Sequence, residues 1–285
     1  MTSAASGNGA DGSVCSVSPE HPNLLTDLDP PLGADERLDT VNEHLRLIQK
    51  KKGLFFGTDA YLLAAFVLPR SHGYAVELGG GSGIVSLLLA RTGKVDRITA
   101  VELQPDYAEM ISRNAAINGL SDRVHSLCRD VRSLDLTDLC EQPSLVVSNP
   151  PYLRIGSGRR NVAPEREIAR HERFGGIDDF CACASRLLGT GGRFLSVFRA
   201  ERLSELYAAL HAHRLEPKRT VFVHSDIASP PCMVLTEAVK DASPSLRVLP
   251  PLFLYEPASD GAPSSRTMTD AAREIYRICS FPTER

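Results

Sequence analysis

No apolar run in this chain approaches the roughly 18 residues that a membrane-spanning helix needs, the longest being about Leu62 to Leu68. The N-terminus lacks the positively charged region of a signal peptide and the arginines of a transit peptide, so a cytoplasmic protein without membrane contact is expected. Lysine and arginine are absent from residues 1 to 36, which hold six acids: Asp11, Glu20, Asp27, Asp29, Asp35 and Glu36. With the whole chain at −3, residues 37 to 285 carry +3 and are mildly basic. Cysteine is sparse and odd in number: seven residues, scattered through predicted strands and helices. That argues against a disulfide framework and for a reducing cytosol. Cys181-Ala182-Cys183 has no second pair at ligand spacing and reads as small buried residues on a helix, so no metal is expected.

What is present suits a globular protein. Hydrophobic residues make up 42% of the 285 and charged residues 24%, enough for a substantial core. Residues 1 to 38 are rich in Ser, Gly, Pro and Asp without apolar periodicity and read as a disordered tail. Residues 39 to 285 read as a single domain without internal repeats. It opens with a strand at Leu45-Arg46-Leu47-Ile48-Gln49 and a basic turn at Lys50, Lys51 and Lys52. A short apolar helix follows within Gly57 to Phe66, with Thr58 as its N-cap. Strands and helices then alternate from Tyr74 to Phe198, and the helix over residues 201 to 211 carries Leu203, Leu206, Tyr207 and Leu210 as an amphipathic stripe. Two late strands, 218 to 224 and 232 to 239, follow one another without a helix and should pair antiparallel. The class is α/β: a doubly wound, mostly parallel sheet of Rossmann-like kind with an antiparallel edge hairpin. The proline-rich piece Leu249-Pro250-Pro251-Leu252 reads as an edge segment, and a terminal helix is expected near Thr269 to Ile278.

Chemistry-bearing residues cluster where predicted strands end. Glu77-Leu78-Gly79-Gly80-Gly81-Ser82-Gly83 joins the first core strand to its helix, and glycines there allow a tight turn and close approach of a ligand to the main chain. A dinucleotide loop would place Gly or Ala three residues after Gly81, where this chain has Ile84. The spacing Gly79-x-Gly81-x-Gly83 is instead similar to that of methyltransferases that bind S-adenosylmethionine. Glu102 ends the next strand, 23 residues after Gly79, where a carboxylate can accept from ribose hydroxyls; a solvent-facing strand-end acid is the alternative. Asp130 follows the third strand and can accept from an adenine amino group, unless Arg129, Arg132 and Asp135 engage it in surface pairs. The fourth strand ends in Asn149-Pro150-Pro151-Tyr152. Neither proline donates an N–H and Pro151 holds Pro150 extended, so the carbonyls of Asn149 and Pro150 stay free as acceptors. With the Tyr152 ring they form a receptor for a flat group bearing an amino group. A plain tight turn would explain the prolines alone.

The tetrapeptide resembles the motif of amino-group methyltransferases. The arrangement over residues 45 to 280 resembles the bacterial valine-tRNA adenine-37 N6-methyltransferase family, a class I group. Three stretches carry the likeness: Leu47-Ile48-Gln49 through Gly57-Thr58-Asp59-Ala60; Asn149-Pro150-Pro151-Tyr152 through Gly156-Ser157-Gly158 to Ile168-Ala169-Arg170-His171-Glu172; and Pro250-Pro251-Leu252 with Tyr255. The chain departs from the family pattern in Glu77 for Asp and in Gly80 for a small hydroxyl residue. The resemblance implies methyl transfer from S-adenosylmethionine to an adenine N6 in a tRNA anticodon loop. It implies cofactor contacts from Glu77, Gly79, Gly81, Gly83, Glu102, Asp130 and Asn149, catalysis by Asn149, Pro150 and Tyr152, and no obligate protein partner. Protein-glutamine methyltransferases and other nucleic-acid amino methyltransferases share the tetrapeptide, and a non-catalytic RNA-binding module on the same fold is a third reading.

Residues 153 to 173 hold six arginines (Arg154, Arg159, Arg160, Arg166, Arg170, Arg173) against three acids. Pro151, Tyr152, Arg154, Arg159 and Arg160 are the expected substrate-binding set, the arginines meeting phosphates and not bases. Replacing Arg159 and Arg160 together by Ala should weaken binding to every tRNA and flatten its salt dependence by about one unit of log–log slope per lost contact. A filter-binding salt titration checks this, with cofactor affinity unchanged.

Overall fold

The computed structural model describes residues 30–52, 57–69, 72–150, 175–257 and 267–282. A two-stranded antiparallel hairpin comes first, β1 (Glu36–Asn42) and β2 (Leu45–Lys50). Helix α1 (Thr58–Phe66) leads into the alternating core: β3 (Tyr74–Leu78), α2 (Ile84–Arg91), β4 (Arg97–Glu102), α3 (Pro105–Ile117), β5 (Val124–Cys128), β6 (Leu145–Ser148), α4 (Ile177–Leu187) and β7 (Arg193–Arg199). Helix α5 (Leu203–Ala212), β8 (Leu215–His224) and β9 (Pro231–Lys240) follow, then two short strands, β10 (Arg247–Val248) and β11 (Leu252–Phe253), and helix α6 (Asp270–Ile278).

Among the described residues nine strands form one sheet in the order β10-β8-β9-β7-β6-β3-β4-β5, with β11 also on β8. Strands β3 to β7 are parallel, and β9 runs antiparallel to both β7 and β8. Every residue of β3 and β6 is buried, as expected of central strands covered on both faces. Side chains alternate between two cores. Ala75, Leu145, Val147, Leu195 and Val197 pack under α1, α2 and α3, whereas Val76, Leu78, Val146, Phe194 and Phe198 pack under α4 and α5. In α4 the stripe Ile177, Phe180, Cys181, Ala184 and Leu187 makes the contact, and Cys183 is also buried there.

Several boundaries differ from the sequence-based expectation, among them the ends of α5, β8 and β9 by one to three residues. The expected tail through residue 38 ends earlier, because β1 starts at Glu36. That glutamate is buried and receives both terminal nitrogens of Arg113 at 3.0 and 2.9 Å, a partner 77 positions away that no local pattern announces. Residues 1–29 lie outside the described residues. Gly57, extended, caps α1 without a side-chain bond, and Thr58 is already helical. The late hairpin β8–β9 is antiparallel as expected, but β10 and β11 extend the sheet beyond it by pairing parallel with β8 on either side of Pro250-Pro251. The sequence predicts β2 alone; β1 is mostly half-buried, with one fully buried residue, and carries no clean apolar alternation to announce it.

The C-terminal piece closes one side of the molecule. Helix α6 lies along α1, with the Tyr61 and Tyr276 rings stacked at 4.6 Å and the Tyr61 hydroxyl donating to the Tyr276 carbonyl at 2.7 Å. Lys94, 3% exposed, donates to the carbonyls of Ala64, Ala65 and Cys279 at 2.8, 3.2 and 2.7 Å. Burial pushes its ammonium down to about 8, so at neutral pH it keeps three N–H donors for three helix-end acceptors. Lys94→Met retains the aliphatic stem and strands those carbonyls. We expect a loss of about 3 kcal/mol in urea unfolding, with hydrogen exchange rising first in α6.

Candidate active site

The sheet reverses its order between β3 and β6, which is where open α/β sheets leave a crevice at the carboxyl ends of their strands. Register brings the expected residues to this line. Leu78 pairs with Val101 on one side and Ser148 on the other, and Glu102 pairs with Cys128. Gly79, Glu102 and Asn149 therefore stand at one level, with Asp130 two residues past the end of β5. Ser148, fully buried, donates its hydroxyl to the Leu78 carbonyl at 2.9 Å and ties the two walls together.

The glycine turn is held by its own amides. Gly79 and Gly80 both donate to the Val101 carbonyl at 2.9 Å, Gly81 donates to Glu102 Oε2 at 2.9 Å, and Gly83 donates to the Gly80 carbonyl at 2.8 Å. A loop that cradles phosphate presents such N–H groups to its ligand; here four are spent on the protein. Gly81 has φ +55 with open space where a Cβ would stand, so its Cα side is the free approach. At Gly80 a Cβ would lie 2.9 Å from Ile111 Cδ1 and 3.2 Å from Ala100 Cβ, which explains the departure from a small hydroxyl residue.

Glu102 is 7% exposed and prepared for a ligand. One oxygen takes the Gly81 amide and the other the Gln104 amide at 2.9 Å, leaving each a lone pair for hydroxyl donors. A turn without a phosphate cradle beside a positioned carboxylate suits an adenosyl group that carries a cationic centre and no pyrophosphate.

Two expected contacts are placed differently. Glu77 is 2% exposed, and its Oε2 accepts from the Ser86 amide at 3.0 Å and from the Ser86 hydroxyl. Its longer side chain reaches under the turn to α2, so it braces the turn from below. Asp130 is engaged by Arg132, whose Nε and Nη2 approach its carboxylate at 3.0 and 2.6 Å, and Arg132 holds that carboxyl below its ordinary range. Arg129 pairs with Asp138 at 3.0 Å. The surface-pair alternative is thus the arrangement seen at Asp130. Pro150 is buried and Asn149 half-buried at the end of β6. Pro151, Tyr152, Arg154, Arg159 and Arg160 lie outside the described residues.

Residues that sequence reasoning passed over complete the site. Phe180 of α4 sits 3.3 Å from where a Gly79 Cβ would be, and Asn114 of α3 donates to the Ser82 carbonyl at 2.9 Å. An Asn inside a helix is a poor helix former; Asn114 and Asn118, four apart, were the signal available.

Fold and site define a class I methyltransferase that uses S-adenosylmethionine. No protein-family model matches the chain. The fold is shared with a solved structure, a predicted O-methyltransferase from Agrobacterium tumefaciens, at a TM-score of 0.61 and 21% identity over 79% of this chain and 98% of that one. Proteins named tRNA1(Val) (adenine(37)-N6)-methyltransferase are similar in sequence. That of Phocaeicola vulgatus is 30% identical over 184 residues, 63% of this chain and 74% of its own. That of Porphyromonas gingivalis is 29% identical over 187 residues, 64% and 72%, and that of Erwinia tasmaniensis 36% identical over 152 residues, 53% and 60%. The chain belongs to the tRNA1(Val) (adenine(37)-N6)-methyltransferase family.

Burial pushes the Glu77 carboxyl up to about 8 from 4.5. Between those values the folded chain keeps a proton that the unfolded chain has released. The stability this contributes is full below pH 4.5 and is lost as the pH rises to 8. Glu77→Gln, which still accepts from Ser86, should therefore show a melting temperature that falls less than wild type across that window. Equal slopes in a calorimetric pH series would contradict the assignment.

Proposed function

We propose that this chain transfers a methyl group from S-adenosylmethionine to the exocyclic N6 of an adenine in a tRNA anticodon loop, with adenine 37 of a valine tRNA as the target. The single observation that carries the reading is the position of Asn149-Pro150 at the end of β6, beside the glycine turn where the strand order reverses. Cofactor contacts are assigned to Gly79, Gly81, Gly83 and Glu102, with Glu77 bracing the turn. Asp130 joins them only if Arg132 shares its carboxylate.

Bound S-adenosylmethionine supplies an electrophilic methyl group on a sulfonium. The work of the chain is orientation and charge. The side-chain carbonyl of Asn149 and the backbone carbonyl of Pro150 accept the two hydrogens of the adenine amino group and draw its nitrogen towards sp3, which frees the lone pair. Tyr152 stacks on the base after it leaves its neighbours, a step that costs little in a loop. Arg154, Arg159 and Arg160 meet the phosphates. We place the enzyme in the cytoplasm, where its proposed tRNA substrate is found; among the described residues no helix is long and apolar enough to cross a membrane.

Methyl transfer to total tRNA, compared with a release-factor peptide, tests the reading. tRNA should be labelled at N6 of adenine and the peptide left unlabelled, and the reverse outcome would transfer the chain to the protein-glutamine enzymes. Asn149→Ala removes one preorganised acceptor. Turnover should fall by roughly 10²-fold or more with cofactor affinity little changed, read by single-turnover kinetics alongside calorimetry.

A further inference from the structure

We propose that Asn114 is a positioning residue for the cofactor site, carrying a mechanical link from the β1–β2 hairpin to the glycine turn. This rests on the cofactor site proposed above.

One edge of β2 pairs with β1. Among the described residues its other edge meets no strand; it meets two side-chain amides of the α3 segment. Asn114 accepts from the Ile48 amide at 2.7 Å and donates to the Ile48 carbonyl at 3.0 Å. Asn118 accepts from the Arg46 amide at 3.0 Å and donates to the Arg46 carbonyl at 2.7 Å. The spacing matches, because four helical residues rise about 6 Å and two strand residues about 6.6 Å. Each asparagine thus acts as one rung of a missing strand. Both are buried, at 0% and 1% exposure, and Ile48 packs with Met110 and Ile117 of α3.

The two rungs differ in one respect. The Asn118 amide nitrogen has its second bond within α3, to the Asn114 carbonyl at 2.7 Å. The Asn114 amide nitrogen has its second bond to the Ser82 carbonyl in the glycine turn, at 2.9 Å. The peptide joining Ser82 to Gly83 is therefore pinned at both poles, its carbonyl by Asn114 and its N–H by the Gly80 carbonyl. Glycine at position 83, with φ 82, offers little resistance of its own to rotation of that peptide. Asn114 supplies the resistance, and through it the hairpin is coupled to the turn that a cofactor approaches at Gly81.

The pair of variants Asn114→Asp and Asn118→Asp separates positioning from mere support. Each keeps the acceptor for β2 and turns its amide donor into an acceptor facing two carbonyls, so both loosen the hairpin. Only Asn114→Asp releases Ser82. The dissociation constant for S-adenosylmethionine, measured by calorimetry, should rise at least ~10-fold in Asn114→Asp and stay within about 3-fold of wild type in Asn118→Asp, at similar losses in melting temperature. Equal effects on affinity would overturn the link while leaving the cofactor site standing; failure of wild type to bind would overturn both. Should Asn114→Asp not fold, hydrogen exchange on wild type decides. Saturation with S-adenosylhomocysteine should slow exchange of the Ile48 amide by about 10-fold, and an unchanged rate would overturn the link.

Discussion

The Glu102 carboxylate is the point on which the carboxyl-end surface turns. Its two oxygens are each met by a backbone amide, Gly81 from the loop after β3 and Gln104 from the entry to α3. Few side chains can join two loops in this way without spending their full capacity. A carboxylate can, because each oxygen keeps a further lone pair. The same bonds that hold the turn closed therefore also fix the orientation of the carboxylate.

Helix α3 is the platform beneath. Ile111 fills the space against Gly80 and Gly83, while one helical face further round Met110 and Ile117 receive the hairpin. A helix serving two sides needs polar groups where its faces divide, and Asn114 and Asn118 stand there. The departures from the family pattern have local causes of the same kind. At Gly80 a side chain would crowd Ile111 and Ala100, and the carboxyl of Glu77 reaches Ser86.

The chemistry of the site follows from what its donors are already doing. With the amides of Gly79, Gly80, Gly81 and Gly83 bound internally, the turn offers a ligand shape and not an anion cradle, which separates it from dinucleotide sites on similar sheets. Across the crevice Asn149 and Pro150 contribute neutral acceptors in the proposed reading. Neutral acceptors suit an amino group that keeps both hydrogens until it is alkylated and then releases one, since a carboxylate there would carry a desolvation cost of its own.

The sequence by itself determined the fold class, the strand ends that carry the site and the family, because each depends on short-range features: apolar strands that end abruptly, glycines at fixed offsets, and Asn149-Pro150-Pro151-Tyr152. It also announced the antiparallel pairing of β8 and β9, through the missing helix between them. What it left open was which partner each side chain takes once the chain is folded. Glu36 pairs with Lys50 of β2 and turns its carboxylate to Arg113, Asp130 turns to Arg132, Glu77 reaches Ser86 under the loop, and Asn114 reaches both Ile48 and Ser82. Tertiary structure decided these, because a side chain's hydrogen-bond partner is chosen by which donor or acceptor lies within about 3 Å, and that proximity is set as the sheet and helix α3 assemble.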